Sequence, residues 1–124
     1  MPKASKETAS HVQDSGVMIG RFEELGEMTV GFQTFREDAD SAPVMRGLPD
    51  DRCQAPHWGY VLEGRITFLY ADGEETYETG DAYYAKPGHT TRIMAGTDIV
   101  DFAPTKEITE TFEAISRNLA AAGV

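Results

Sequence analysis

Four side chains in this 124-residue chain are of types that bind transition metals through sulfur or imidazole: Cys53, His11, His57 and His89. Three of them stand near prolines, in Cys53-Gln54-Ala55-Pro56-His57 and Pro87-Gly88-His89. Thiolate together with imidazole suits zinc, iron, nickel or copper, whereas magnesium and calcium take oxygen. In a straight strand Cys53 and His57 would lie roughly 13 Å apart, at about 3.3 Å per residue, too far to share an ion. A turn at Pro56 can fold them together, because proline lacks the N–H that a continued ladder needs. The plain alternative is a buried cysteine beside a hydrogen-bonded histidine, a common fate of free thiols. Cys53 as nucleophile with His57 as base is a third reading, but the sequence names no group that would orient the imidazole. His11 lies in a polar segment and is assigned no role. There is no phosphate loop, Gly-x-Ser-x-Gly elbow or His-Glu-x-x-His helix.

Composition bounds what such a site could serve. Lys and Arg number 11 against 21 Asp and Glu, a net charge of −10. That balance repels phosphate backbones and anionic membrane surfaces, so neither nucleic acid nor membrane is an expected partner. Hydrophobic residues make up 40% of the chain, enough for a core, yet no apolar run is long enough to span a bilayer. One cysteine excludes an internal disulfide framework. Residues 1–13 lack the apolar stretch of an export signal, and the expected compartment is cytoplasmic.

The elements that must position the cysteine and histidines read as β. Residues 1–16 form a polar arm, and residues 17–104 a β-domain. Val17–Phe22 and Met28–Phe35 are its first strands, followed by a long polar loop over 37–51 with one short strand at Val44–Met45. Trp58–Leu62, Arg65–Tyr70, Glu75–Glu78, Ala82–Ala85, Thr90–Met94 and Asp98–Phe102 follow, separated by Glu63-Gly64, Asp72-Gly73, Gly80-Asp81, Pro87-Gly88 and Gly96. Short strands with such frequent turns predict an antiparallel barrel or sandwich. Residues 105–124 form one C-terminal helix, capped by Thr105, striped by Ile108, Phe112, Ile115 and Leu119, and closed by Gly123. Within the strands, Gly59 and Val61 share the face of His57, while Ile66, Phe68 and Tyr70 share another, and Tyr83 alternates with Tyr84. That parity outlines an aromatic-lined pocket. Trp58 and Tyr60 fall to the core or to a dimer surface, and Lys86 is a candidate anion contact.

Two segments together resemble the two-motif core of the cupin superfamily. They are His57-Trp-Gly-Tyr-Val-Leu-Glu63-Gly64-Arg-Ile-Thr-Phe and, after the Asp72-Gly73 hairpin, Gly80-Asp81-Ala-Tyr-Tyr-Ala-Lys86-Pro87-Gly88-His89. The resemblance covers roughly residues 40–103 and implies an all-β jelly-roll barrel, often dimeric, with a small-molecule ligand or substrate. It places the family's ligand positions at Asp51, Cys53, His57 and Thr91, none of which keeps the usual residue type. His89, two residues before Thr91 and of the same strand parity, can serve in its place. The chain is also similar to a cupin subgroup carrying Cys-x-x-Pro-His and Pro-Pro-Gly-His segments. The resemblance therefore implies a divalent transition metal (zinc, iron or nickel) at Cys53, His57 and His89, with Asp51 as a fourth candidate. It implies equally a metal-free, non-catalytic binding or sensing domain if the altered ligands hold no ion.

Overall fold

Two antiparallel sheets face each other, as a chain of short alternating strands requires if each is to bury one side. The computed structural model describes residues 3–122. Its strands are β1 His11–Asp14, β2 Met18–Leu25, β3 Met28–Phe35, β4 Ala39–Asp40, β5 His57–Glu63, β6 Arg65–Tyr70, β7 Gly73–Glu78, β8 Ala82–Ala85, β9 Thr90–Ile93 and β10 Asp98–Pro104, followed by helix α1 Thr105–Ala121. One sheet has the order β1-β2-β3-β10-β5-β8 and the other β4-β9-β6-β7. Between them lie Phe35, Val61, Ile66, Phe68, Tyr83, Ala85, Ile93 and Ile99, all buried. A second cluster of Met45, Cys53, Ala55, Ala103 and Ile108 fills the space beneath α1. The fold is the expected all-β jelly roll with one C-terminal helix.

Three local expectations are corrected. Part of the polar arm is a strand, because His11–Asp14 finds unpaired backbone groups on β2 to bond. Val44–Met45 belongs to a 3-10 turn, Ala42–Met45, started by Pro43, whose fixed φ suits a helical first turn. Pro104, not Thr105, is the N-cap of α1. Thr105 spends its hydroxyl on Thr29, at 2.8 Å, and so ties the helix to β3. The helix stop expected at Gly123 lies outside the described residues. Among the described residues no helix is long and apolar enough to cross a membrane.

Gly64 has φ +92° and sits against Thr97, whose Cα and hydroxyl leave no space for a side chain. The Thr97 hydroxyl accepts a bond from the Arg65 N–H, which locks the β5–β6 turn to the start of β10. That turn sets the register of β5, and with it the direction in which His57 points.

Candidate metal centre

Three chain segments that are far apart in sequence deliver the sulfur and imidazoles to one point. The Cys53 main chain is held by a two-way bridge: its N–H donates to the His89 carbonyl at 2.8 Å, and its own carbonyl accepts from Gly88 at 2.8 Å. This isolated antiparallel bridge sets Cys53 beside His89. The chain then bends at Ala55, and His57 opens β5. The metal-binding atoms of Cys53, His57 and His89 all lie within 4.8 Å of one another. Cys53 Sγ is 3.6 Å from His57 Nε2, and the two imidazole centroids are 5.1 Å apart. Asp51 is not brought in: it is exposed, and its carboxylate accepts the Gly47 N–H at 3.0 Å. Thr91 lines the cavity next to the cluster. His11 is exposed on β1.

Hydrogen bonds fix which nitrogen of each histidine is free. His57 Nδ1 lies 2.8 Å from Asp101 Oδ1, and a carboxylate can only accept, so Nδ1 carries the proton. His89 Nδ1 lies 2.7 Å from the Lys86 carbonyl, which can also only accept. Both Nε2 atoms are thereby left toward Cys53, the arrangement by which outer partners orient imidazole ligands. The donor set is soft and nitrogenous, and the 3.6 Å separation matches ligands placed about 2.0–2.3 Å from one ion. These residues fit a transition metal.

Asp101 itself is positioned by a gap. Across the sheet it stands opposite Gly31 on β3 and Gly59 on β5, and Gly59 stands opposite Tyr83 on β8. The Tyr83 ring lies where a Gly59 Cβ would be, and its hydroxyl donates to Asp101 Oδ2 at 2.7 Å. Each Asp101 oxygen thus has its own donor, as a buried carboxylate demands. Sequence reading missed Asp101. The available signal was an aspartate inside a strand, a position that residue rarely takes. It also missed Thr111, whose hydroxyl is 3.2 Å from Cys53 Sγ on the buried side of α1.

Charge follows from the same contacts. Burial opposes a Cys53 thiolate, but the His57 and His89 imidazoles facing it outweigh burial and lower its pKa from 9.0 to about 5. Burial likewise opposes charge on His57, but Asp101 and the thiolate raise its pKa from 6.5 to about 10. Burial and the Asp101 charge push the Tyr83 phenol far up, so it stays a donor. A lowered thiol favours folding above its unfolded pKa and loses that contribution as pH falls through the folded value. A raised imidazole favours folding below its unfolded pKa and loses its contribution as pH rises through the folded value. From pH about 5 to 6.5 the unfolded chain therefore binds one proton more, and stability rises. From 6.5 to 9.0 the two effects cancel. From 9.0 to about 10 stability falls. Metal-free protein is thus expected to show a flat Tm between about pH 6.5 and 9, with the acid limb reduced in Cys53→Ala. A Tm that climbs steadily across that interval would contradict the pairing.

The cluster stands at the inner end of a cavity of about 830 Å3. Phe35, Ile66, Phe68, Ile93 and Ile99 from the two sheets form its walls, and α1 closes it with Ile108, Phe112 and Ile115. The helix stripe read from the sequence is this roof. The strand parity holds too: Tyr83 is buried and Tyr84 exposed.

No protein-family model matches the chain, and no curated protein matches it in sequence. Solved structures do. An RmlC-like cupin from Shewanella frigidimarina NCIMB 400 superposes with a TM-score of 0.59 at 16% identity, over 86% of this chain and 93% of that one. The chain has the cupin fold. A structural-genomics protein of unknown function from Rhizobium leguminosarum bv. viciae 3841 is similar at TM-score 0.57 and 18% identity, over 84% and 95% of the two chains. KdgF from a Halomonas species is similar at 0.53 and 17%, over 76% and 86%. At such identities the likeness speaks for the cupin fold alone. The donor set of this cupin barrel has to be argued from its own residues.

Proposed function

We propose that this cupin-fold chain holds a divalent transition metal at Cys53, His57 and His89 and binds or acts on a small organic molecule in the adjoining cavity. The observation that carries the reading is the pair of pinned histidines. Each Nδ1 is engaged, by Asp101 and by the Lys86 carbonyl, so two Nε2 atoms and one Sγ remain at a common point. Zinc, iron and nickel all accept such donors. When bound, the metal supplies Lewis acidity and a coordination position open to the cavity. The chain's own residues do the rest. Asp101 holds the proton on His57 Nδ1, Tyr83 holds Asp101, and the Thr111 hydroxyl faces the sulfur. The apolar walls exclude water from the inner end.

A second reading is favoured by one finding. Cys53, His57 and Asp101 also form a nucleophile–base–orienter line, and Asp101 is the third group that the sequence did not name. His89 places this reading second, because a thiol nucleophile has no use for a second imidazole pinned to face it. Metal analysis separates the two readings from each other, and from a metal-free binding domain. Near-stoichiometric metal in wild-type protein, lost in His89→Ala, supports the first. Metal absent from wild type, with Cys53 alkylated far faster than in His57→Ala, supports the second.

The expected homodimer belongs to this proposal. Trp58, Tyr60 and Leu62 on β5, Tyr84 on β8 and Phe102 on β10 are exposed on neighbouring strands. Trp58 is 45% and Tyr84 50% exposed, and apolar patches of this kind on a sheet face mark association surfaces. Light scattering is expected to give twice the chain mass for wild type and the single mass for a Trp58→Ser, Tyr84→Ser double variant. A wild-type monomer at working concentration would refute the dimer.

A further inference from the structure

The cavity walls say more about the ligand than the metal donors do. Among the described residues no lysine or arginine lines the cavity. Lys86, the candidate anion contact, turns away from it: Nζ stands 4.9 Å over the Tyr70 ring and 3.6 Å from Asp72. At the outer end the lining includes the exposed carboxylates of Asp14, Asp38 and Asp40. Asp14 is bonded to Arg36 at 2.7 and 3.0 Å, so that guanidinium is already paired with a carboxylate. Inside, Asp101 faces His57 and Tyr83 and offers nothing unpaired. An anionic group placed along these walls would lose its water without gaining a counter-charge. The remaining polar lining, Gln33, Ser41, Thr91 and Ser116 among it, is uncharged, so the Cys53/His57/His89 end is where a metal or imidazole could meet a polar group.

We infer that the cavity takes an uncharged, largely apolar small molecule, which turns one oxygen- or nitrogen-bearing group toward Cys53, His57 and His89. Carboxylate, sulfonate and phosphate groups find no counter-charge along the walls or at the acidic mouth. The inference rests on the reading that this cavity is the ligand chamber. It is decided on the metal-free protein, because a divalent ion at Cys53, His57 and His89 would itself offer positive charge to an anion.

The test uses two dyes that share one aromatic frame and differ in a sulfonate: neutral N-phenyl-1-naphthylamine and anionic 8-anilinonaphthalene-1-sulfonate. Full-length protein is titrated with each by fluorescence, in metal-free and metal-loaded form, with metal content measured on the same samples. The neutral dye is expected to bind at one site per chain, and the sulfonate at least about tenfold more weakly, because its charge has no partner in the cavity. Ile115→Lys, which sets a cation in the roof, is expected to narrow or reverse that ratio. Ile115→Trp, which fills the chamber without adding charge, is expected to weaken the neutral dye. Equal or tighter binding of the sulfonate by wild type would overturn the inference. So would neutral-dye binding that is lost in Trp58→Ser and unchanged in Ile115→Trp, since that places the dye on the outer aromatic face. A protein that shows the predicted dye preference but holds no metal would refute the metal centre while leaving this inference standing.

Discussion

Cobalt(II) added to metal-free wild-type protein is expected to produce thiolate-to-cobalt charge-transfer absorption, and Cys53→Ser is expected to abolish it. Sulfur bonded to the ion is the only source of that band among these donors. His57→Ala and His89→Ala should each weaken cobalt binding by more than the roughly 10–100-fold that follows loss of an outer partner, because each removes a donor outright. Asp101→Asn falls within that smaller range. It keeps an acceptor for His57 Nδ1–H but replaces a carboxylate that the Tyr83 hydroxyl also bonds. The graded order is informative. Ligand losses larger than the Asp101 effect follow from a metal site oriented through Asp101. An Asp101→Asn variant that binds cobalt as wild type does, while folding normally, would show that Asp101 does not position His57 for the ion.

Phe68→Ala is expected to cost about 3–5 kcal/mol of folding stability, read from urea unfolding, and to weaken cobalt binding as well. Phe68 is 2% exposed at the centre of the core, and its ring meets Tyr83 at 5.2 Å and the edge of His89 at 5.0 Å. Removing it joins a void to the existing cavity and takes away a ring packed against His89. A domain of this size typically has about 5–15 kcal/mol to lose, so a chain at the low end of that range would be partly unfolded at 37 °C. Phe68→Leu preserves most of the volume and should cost under about 1.5 kcal/mol. If Phe68→Ala lowered stability without altering cobalt affinity, the aromatic packing would be holding the barrel but not the histidine.

Local signals made the barrel readable. Turn residues fell between strands at short intervals, and the period-two parity of His57, Gly59 and Val61 named the inner face correctly. The helix stripe of Ile108, Phe112, Ile115 and Leu119 anticipated the cavity roof. Cys53, His57 and His89 stood out because they are rare residue types near prolines. What escaped is non-local. β10 lies between β3 and β5, so Asp101 meets Gly31, Gly59 and, one strand further, Tyr83, none of them near it in sequence. An isolated Asp in a strand otherwise reads as solvent-facing. Thr111 sits beside the apolar stripe and looks like a polar helix position until α1 is laid over Cys53. Asp51 was placed by analogy of position, and the 3-10 turn Pro49–Asp51 carries it outward instead.

The proposed metal at Cys53, His57 and His89 underlies each cobalt-binding expectation. Elemental analysis of protein purified without an affinity tag or chelator tests it most directly. Close to one transition-metal ion per chain is expected in wild type, lost in Cys53→Ala and in His57→Ala. Substoichiometric metal in wild type, unchanged by either substitution, would contradict it.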